Sequence, residues 1–220
     1  MEKFLKNKIF ISGGIYNNKT IFPNTKEAFQ KAINANCGIY FGVLLSKDNN
    51  IIVYEENALE RNLKIKNPQK SLTYDEINYL SFHQIMTLDK ALNVINGKVP
   101  IIIKIGTNEN KKIINLILTK LKKYPGDVGF VSNSSKIIYG INKTNKNLPV
   151  GEILTKDKPK ELFHFMIKTT FKSVNIKYFD SKDIFNIRKS GQIIMGYQED
   201  ENLANKEFFD SLIIKGGTDE

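Results

Sequence analysis

The sequence predicts an α/β fold, a single-domain (β/α)₈ TIM barrel. Three observations predict it. Short apolar runs alternate with amphipathic helical segments, the pattern that produces a parallel sheet with helices packed outside it. Eight such strand–helix units can be counted along the chain, with one extra strand after the second. The 220 residues approach the ~250 that such a barrel uses, and no linker, repeat or low-complexity stretch marks a second domain, so one domain is expected over residues 1–220. An open doubly wound sheet is the alternative arrangement of the same units.

The elements follow in order. Residues 8–12 read as the first strand, closed by a turn at Gly13-Gly14. Asn24 or Thr25 can cap a helix to about residue 36, with Ala28, Phe29, Ala32 and Ile33 on one face. Residues 38–45 form a strand, 46–50 a polar turn, and 51–54 the extra strand. Thr73 and Glu76 have capping-box spacing for a short helix, and 87–95 is another helix. Residues 99–105 are a β-branched run between Gly97 and Gly106, which suits a buried parallel strand. A helix over 109–122 carries Ile113, Ile114, Ile117, Leu118 and Leu121 on one stripe. Strands are then expected at 128–132, 148–154, 173–178, 193–197 and 212–214. The helices between them fall at 134–143, 159–168, 181–189 and 202–208. Gly216-Gly217 reads as a flexible tail.

Composition narrows the function classes. One cysteine, Cys37, excludes an internal disulfide and a multi-cysteine metal site. No apolar run reaches the ~18 residues of a membrane span, and the run 9–11 is too short for a signal-peptide core. A cytoplasmic protein is expected, with a membrane-peripheral one as the alternative. The net charge of +10 comes almost wholly from lysines, and only Arg61 and Arg188 are arginines. Those lysines are spread along the chain rather than clustered with aromatics, which disfavours nucleic acid. An anionic lipid surface remains a partner that the charge would suit.

Several stretches carry a resemblance. Ser12-Gly13-Gly14 is followed by Pro23-Asn24-Thr25 and Glu27-Ala28-Phe29. Then come Ile39-Tyr40-Phe41-Gly42-Val43, Ser46-Lys47-Asp48-Asn49, Ile52-Val53-Tyr54-Glu55-Glu56 and Leu59-Glu60-Arg61. Met86-Thr87-Leu88 and Ile103-Lys104-Ile105-Gly106 complete the first half. In order and spacing this series resembles the glycerophosphodiester phosphodiesterase family. Its motifs run His-Arg-Gly, Glu-Asn-Thr, Ile-Glu-x-Asp-Val, Thr-Lys-Asp-Gly, Val-Val-x-His-Asp, Leu-x-Arg, Pro-Thr-Leu and Ile-Glu-Ile-Lys. Later, Tyr197 stands in the segment that bears a family tryptophan, and residues 210–216 resemble the closing Asp-Gly-Ile-Ile-Thr-Asp strand.

The resemblance implies a phosphoric diester hydrolase of lipid metabolism, with two histidines as acid and base and with carboxylates holding calcium or magnesium. At those positions this chain has Ser12 and Gly13 for His-Arg, Glu55 for the second histidine, Tyr40 and Gly42 for the second-strand carboxylates, and Lys104 and Gly106 for Glu and Lys. The two histidines, His83 and His164, fall at no motif position and are expected on the surface or in loops. The expectation is therefore a catalytically inactive, metal-free barrel. Its degenerate site would be Ser12, Gly13, Tyr40, Gly42, Glu55, Lys104 and Tyr197, and it would take a phosphodiester or anionic headgroup or a protein partner. The alternatives are an active phosphodiesterase with a rebuilt site and a ligand-free interaction module or homo-oligomer. Three roles are open to Lys104: an ion pair with Glu55, contact with a bound anion, or simple projection into solvent. Ser12-Gly13-Gly14 is either a small backbone nest for phosphate or only the turn. Tyr40 and Tyr197 either line a pocket or fill the space left by the metal ligands. Glu55 and Glu56, as strand neighbours, would face opposite ways and make no acid/base pair.

Overall fold

A computed structural model describes residues 3–82, 84–107, 109, 111–155, 168–198 and 206–217. The strands are β1 (Ile9–Tyr16), β2 (Gly38–Leu45), β3 (Ile51–Val53), β4 (Ile101–Ile105), β5 (Val128–Ser132), β6 (Val150–Leu154), β7 (Phe171–Asn175), β8 (Ile193–Gln198) and β9 (Ser211–Gly217). The helices are α1 (Lys26–Asn34), α2 (Glu56–Leu63), α3 (Pro68–Ser71), α4 (Tyr74–Leu80), α5 (Leu88–Ile95), α6 (Lys111–Leu121), α7 (Ser135–Thr144) and α8 (Ser181–Arg188).

The sheet runs β1-β9-β8-β7-β6-β5-β4-β2-β3, and β1 also pairs with β2. β1 is parallel to both β2 and β9, so the sheet closes on itself. β3 is antiparallel to the end of β2 and stands outside the ring, which leaves eight of the nine strands as a closed parallel barrel. The open doubly wound sheet is thereby excluded.

Each strand alternates between two apolar layers. Ile39, Phe41 and Val43 of β2 and Ile101, Ile103 and Ile105 of β4 face outward onto Leu88, Leu92, Ile113, Ile117 and Ile138 of the helices. Phe10, Tyr40, Ile102, Val131, Phe171, Met195 and Ile213 fill the barrel, with Leu5 of the N-terminal turn among them. Ser211 holds that turn in place: its hydroxyl donates to the Leu5 carbonyl (2.6 Å) and accepts from the Lys8 amide (3.3 Å).

Local chemistry explains the helix starts. The Thr25 hydroxyl accepts from the Ala28 amide (3.3 Å), and the Thr73–Glu76 capping box is complete. Thr87 caps α5 in the same way, through the Lys90 amide. A small lobe of α2, α3 and α4 follows β3. α2 is not foreseen in the sequence reading, because charged and amide residues dominate it and, among its described side chains, only Leu59 is fully buried.

Two features correct the expectations. β1 does not stop at Ser12 but continues to Tyr16, with Gly13 and Gly14 at φ +75° and +80°. They form an irregularity in the pairing with β9, not a closing turn. Gly216 and Gly217 are no tail: they end β9, where Gly217 is paired with Tyr16. A Cβ on Gly216 would lie 1.7 Å from the Gly14 carbonyl oxygen, so the strands approach this closely only because Gly216 lacks a side chain. Of the expected helices, 159–168 lies almost wholly outside the described residues. Of 202–208, the described part is one 3₁₀ turn, Lys206–Phe208.

On the outer face, β6 and β7 carry a buried ion pair. Glu152 and Lys172 are register neighbours, and their charged groups are 2.6 Å apart. The side chains are 3% and 13% exposed.

Candidate ligand site at the barrel mouth

In a parallel barrel the strands' C-terminal ends share one rim, where loops assemble a site from distant parts of the chain. Here that rim carries Ser12 of β1, Gly42 of β2, Lys104 of β4, Tyr197 of β8 and Lys215 of β9. Glu55 arrives from beside it, at the N-cap of α2. Its backbone carbonyl accepts from the Ala58 and Leu59 amides, while its side chain makes no capping bond and turns toward Lys104.

The Lys104 ammonium donates to Glu55 Oε2 at 2.7 Å. Both side chains are about a third exposed, 34% and 33%. Of the three roles open to Lys104, the ion pair is therefore formed. Gly42 makes the room for it, since a Cβ there would lie 2.9 Å from Glu55 Oε1. Glu55 and Glu56 do not share a strand, as the sequence reading had it. They sit at the cap and first position of α2.

Two recesses open around this pair. The smaller, about 130 Å³, is lined by Gly42, Glu55, Lys104, Thr107 and Asn133, among others. The larger, about 370 Å³, includes Ser12, Gly13, Tyr54, Asn62, Tyr197 and Lys215 in its walls. Tyr54 and Glu55 belong to both. Six of the seven expected site residues thus surround one mouth. The seventh, Tyr40, lies beneath it, buried in the inner layer with its ring 6.2 Å from that of Tyr197. His164 and His83 lie outside the described residues.

Lys215 is a site residue that the sequence reading passes over. Two signals mark it. It stands at the last acidic position of the closing motif, and it is two residues beyond the inward-facing Ile213.

Burial holds the Tyr40 phenol well above its ordinary value of 10, and the Glu55 carboxylate and Tyr197 push the same way. Above pH 10 the unfolded chain loses this proton and the folded chain keeps it. Stability should therefore fall as pH rises past 10, by up to about 1.4 kcal/mol per pH unit for this group. Urea midpoints at pH 8 and pH 11 for the wild type and Tyr40→Phe check this. The alkaline loss should be smaller in the variant, and an equal loss in both would contradict the assignment.

The geometry can be set beside known proteins. The model of the glycerophosphoryl diester phosphodiesterase family matches residues 17–216. The chain belongs to that family. No curated protein sequence matches it. A glycerophosphodiester phosphodiesterase from Parabacteroides distasonis superposes with a TM-score of 0.76 at 17% identity, covering 95% of this chain and 93% of that one. The enzyme of that name from Thermotoga maritima gives 0.72 at 20% identity, with 94% of each chain covered. An Oleispira antarctica phosphodiesterase, solved with its product sn-glycerol-3-phosphate, gives 0.78 at 15% identity, covering 96% and 94%. At these identities the likeness establishes a common barrel.

A glycerophosphodiester phosphodiesterase barrel of this kind is expected to hold calcium or magnesium, hard cations that take six or more oxygen ligands. The described mouth residues do not fit such an ion. Among the described residues, the one carboxylate lining either recess is Glu55, and Lys104 already engages it. No group of three or more His, Cys, Asp or Glu among the described residues is placed to hold a metal.

Proposed function

We propose that this family barrel binds a phosphate-bearing ligand at its mouth without hydrolysing it, and does so without a bound calcium or magnesium ion. The observation that carries the reading is the Lys104–Glu55 pair at the centre of the mouth. Diester hydrolysis needs a proton donor for the leaving alkoxide, a base for water, and positive charge on the phosphoryl oxygens. The two motif histidines are replaced by Ser12, which has no group that titrates near neutrality, and by Glu55, which is tied to an ammonium. Positive charge is the one requirement still met, by lysines. The product-bound Oleispira relative supports a phosphate ester as the ligand class.

No helix among the described residues is long and apolar enough to cross a membrane. The net charge of +10 suits a phosphate group presented either free or on an anionic lipid headgroup.

The test is a hydrolysis assay on glycerophosphocholine with added calcium or magnesium, run beside calorimetric titration of each metal. No turnover above background and no stoichiometric metal binding are expected. Metal-dependent turnover would overturn the reading and establish an active enzyme with a rebuilt site.

A further inference from the structure

We infer that Lys215, rather than Lys104, is the residue that holds the anionic group of the ligand, in the larger of the two recesses. The inference rests on the phosphate-binding reading above and gives it an address.

The Lys104 ammonium is 2.7 Å from the Glu55 carboxylate, so the two together present no net charge. Lys215 is exposed on the rim, and among the described residues it has no carboxylate partner. Counted over the described residues, the larger recess therefore carries a net charge of about +1, the sign that an anion requires.

The donors in its wall point the same way. β9 and β1 place Lys215 directly across from Ser12. The Ser12 hydroxyl makes no hydrogen bond to the described protein, so it remains able to donate to a ligand. The Tyr54 oxygen already accepts from the Asn62 amide at 2.7 Å. Its own hydrogen is thereby left for an acceptor from outside the pair. An ammonium and two hydroxyls, with the only carboxylate among the described residues of the wall engaged elsewhere, form a set of donors suited to phosphoryl oxygens.

Size agrees. At about 370 Å³ against about 130 Å³, the larger recess has the dimensions of a small-molecule site. The competing explanation is that Lys215 is an ordinary solvated lysine. That would predict no effect of removing its charge.

The experiment is calorimetric titration of sn-glycerol 3-phosphate into the wild type, Lys215→Met and Lys215→Arg. Lys215→Met should weaken binding about tenfold or more, the loss of one charge-assisted hydrogen bond. Lys215→Arg should keep most of the affinity. Because Lys215 is exposed, the melting temperature should be the same in all three proteins. If the wild type binds and Lys215→Met binds equally well, the assignment to Lys215 falls and the ligand-binding reading survives. If the wild type does not bind, both fall together.

Discussion

Replacing Lys172 with methionine is expected to destabilise the barrel by about 3–5 kcal/mol, the range for breaking a buried ion pair from one side. Glu152 is 3% exposed, and its carboxylate is 2.6 Å from the Lys172 ammonium across the β6–β7 register. Methionine fills much of the same volume but leaves the carboxylate without that cation in a place poor in water. The cost is the desolvation of Glu152, not the lost attraction alone. The double variant Glu152→Met/Lys172→Met removes both charges, and it should recover most of the loss. Urea denaturation reads all three proteins, with the slope compared as well as the midpoint. A single variant within about 0.5 kcal/mol of wild type, the range of an ordinary surface substitution, would show that the pair is effectively solvated.

The second large effect is expected at Gly14. Its φ of +80° lies in the left-handed region, which costs a residue with a Cβ about 1–2 kcal/mol. A Cβ there would also lie 2.6 Å from the carbonyl carbon and oxygen of Ala28, backbone atoms that have no rotamer to relax. Overpacking of this kind adds about 1–3 kcal/mol. Gly14→Ala should therefore lose roughly 2–5 kcal/mol. The damage should concentrate where α1 packs on β1, so amide exchange of α1 should accelerate more than that of α6. A near-neutral Gly14→Ala would mean that the bulge can reshape itself around a side chain. Gly191 is the natural control. It too has positive φ, +71°, but open space surrounds its Cβ position, so alanine there should cost only the backbone term.

The elements with local causes were legible in the sequence. β2 and β5 have the predicted bounds. The Thr73–Glu76 box forms as its spacing implies, and of the two candidates Asn24 and Thr25 it is Thr25 that caps α1. The amphipathic stripe of α6 buries Ile113, Ile114 and Ile117. In each case the deciding interaction spans four residues or fewer, or is a period that a helix or strand imposes on its own sequence. The pairing of Lys104 with Glu55 was one of three open roles. It could be named because the family motif places both positions at one site, but the motif alone did not choose between pairing, anion contact and projection into solvent.

What was not legible depends on approach between distant segments. Gly13-Gly14 looks like a turn and Gly216-Gly217 like a tail until β1 and β9 lie side by side. Only then does a Gly216 Cβ fall 1.7 Å from the Gly14 oxygen and a Gly14 Cβ 2.6 Å from the Ala28 backbone, so that neither position tolerates a side chain. Lys215 escapes notice for the same reason. Its position in the closing motif sets it apart from the other lysines of the chain, but its place across from Ser12 exists only once the barrel closes.

By itself, then, the sequence determined the order of the strands and of the helices packed between them apart from α2 and α3, many of the apolar faces that bury them, and the family whose motif spacing the first half follows. The tertiary structure alone decided the closure of the ring, the seat of Glu55 in the space beside Gly42, and the gathering of residues 12, 54, 55, 104, 197 and 215 at one mouth. Periodicity and capping are properties of neighbouring residues. A barrel mouth is built from strand ends that are far apart in the chain and meet only through the register of the closed sheet.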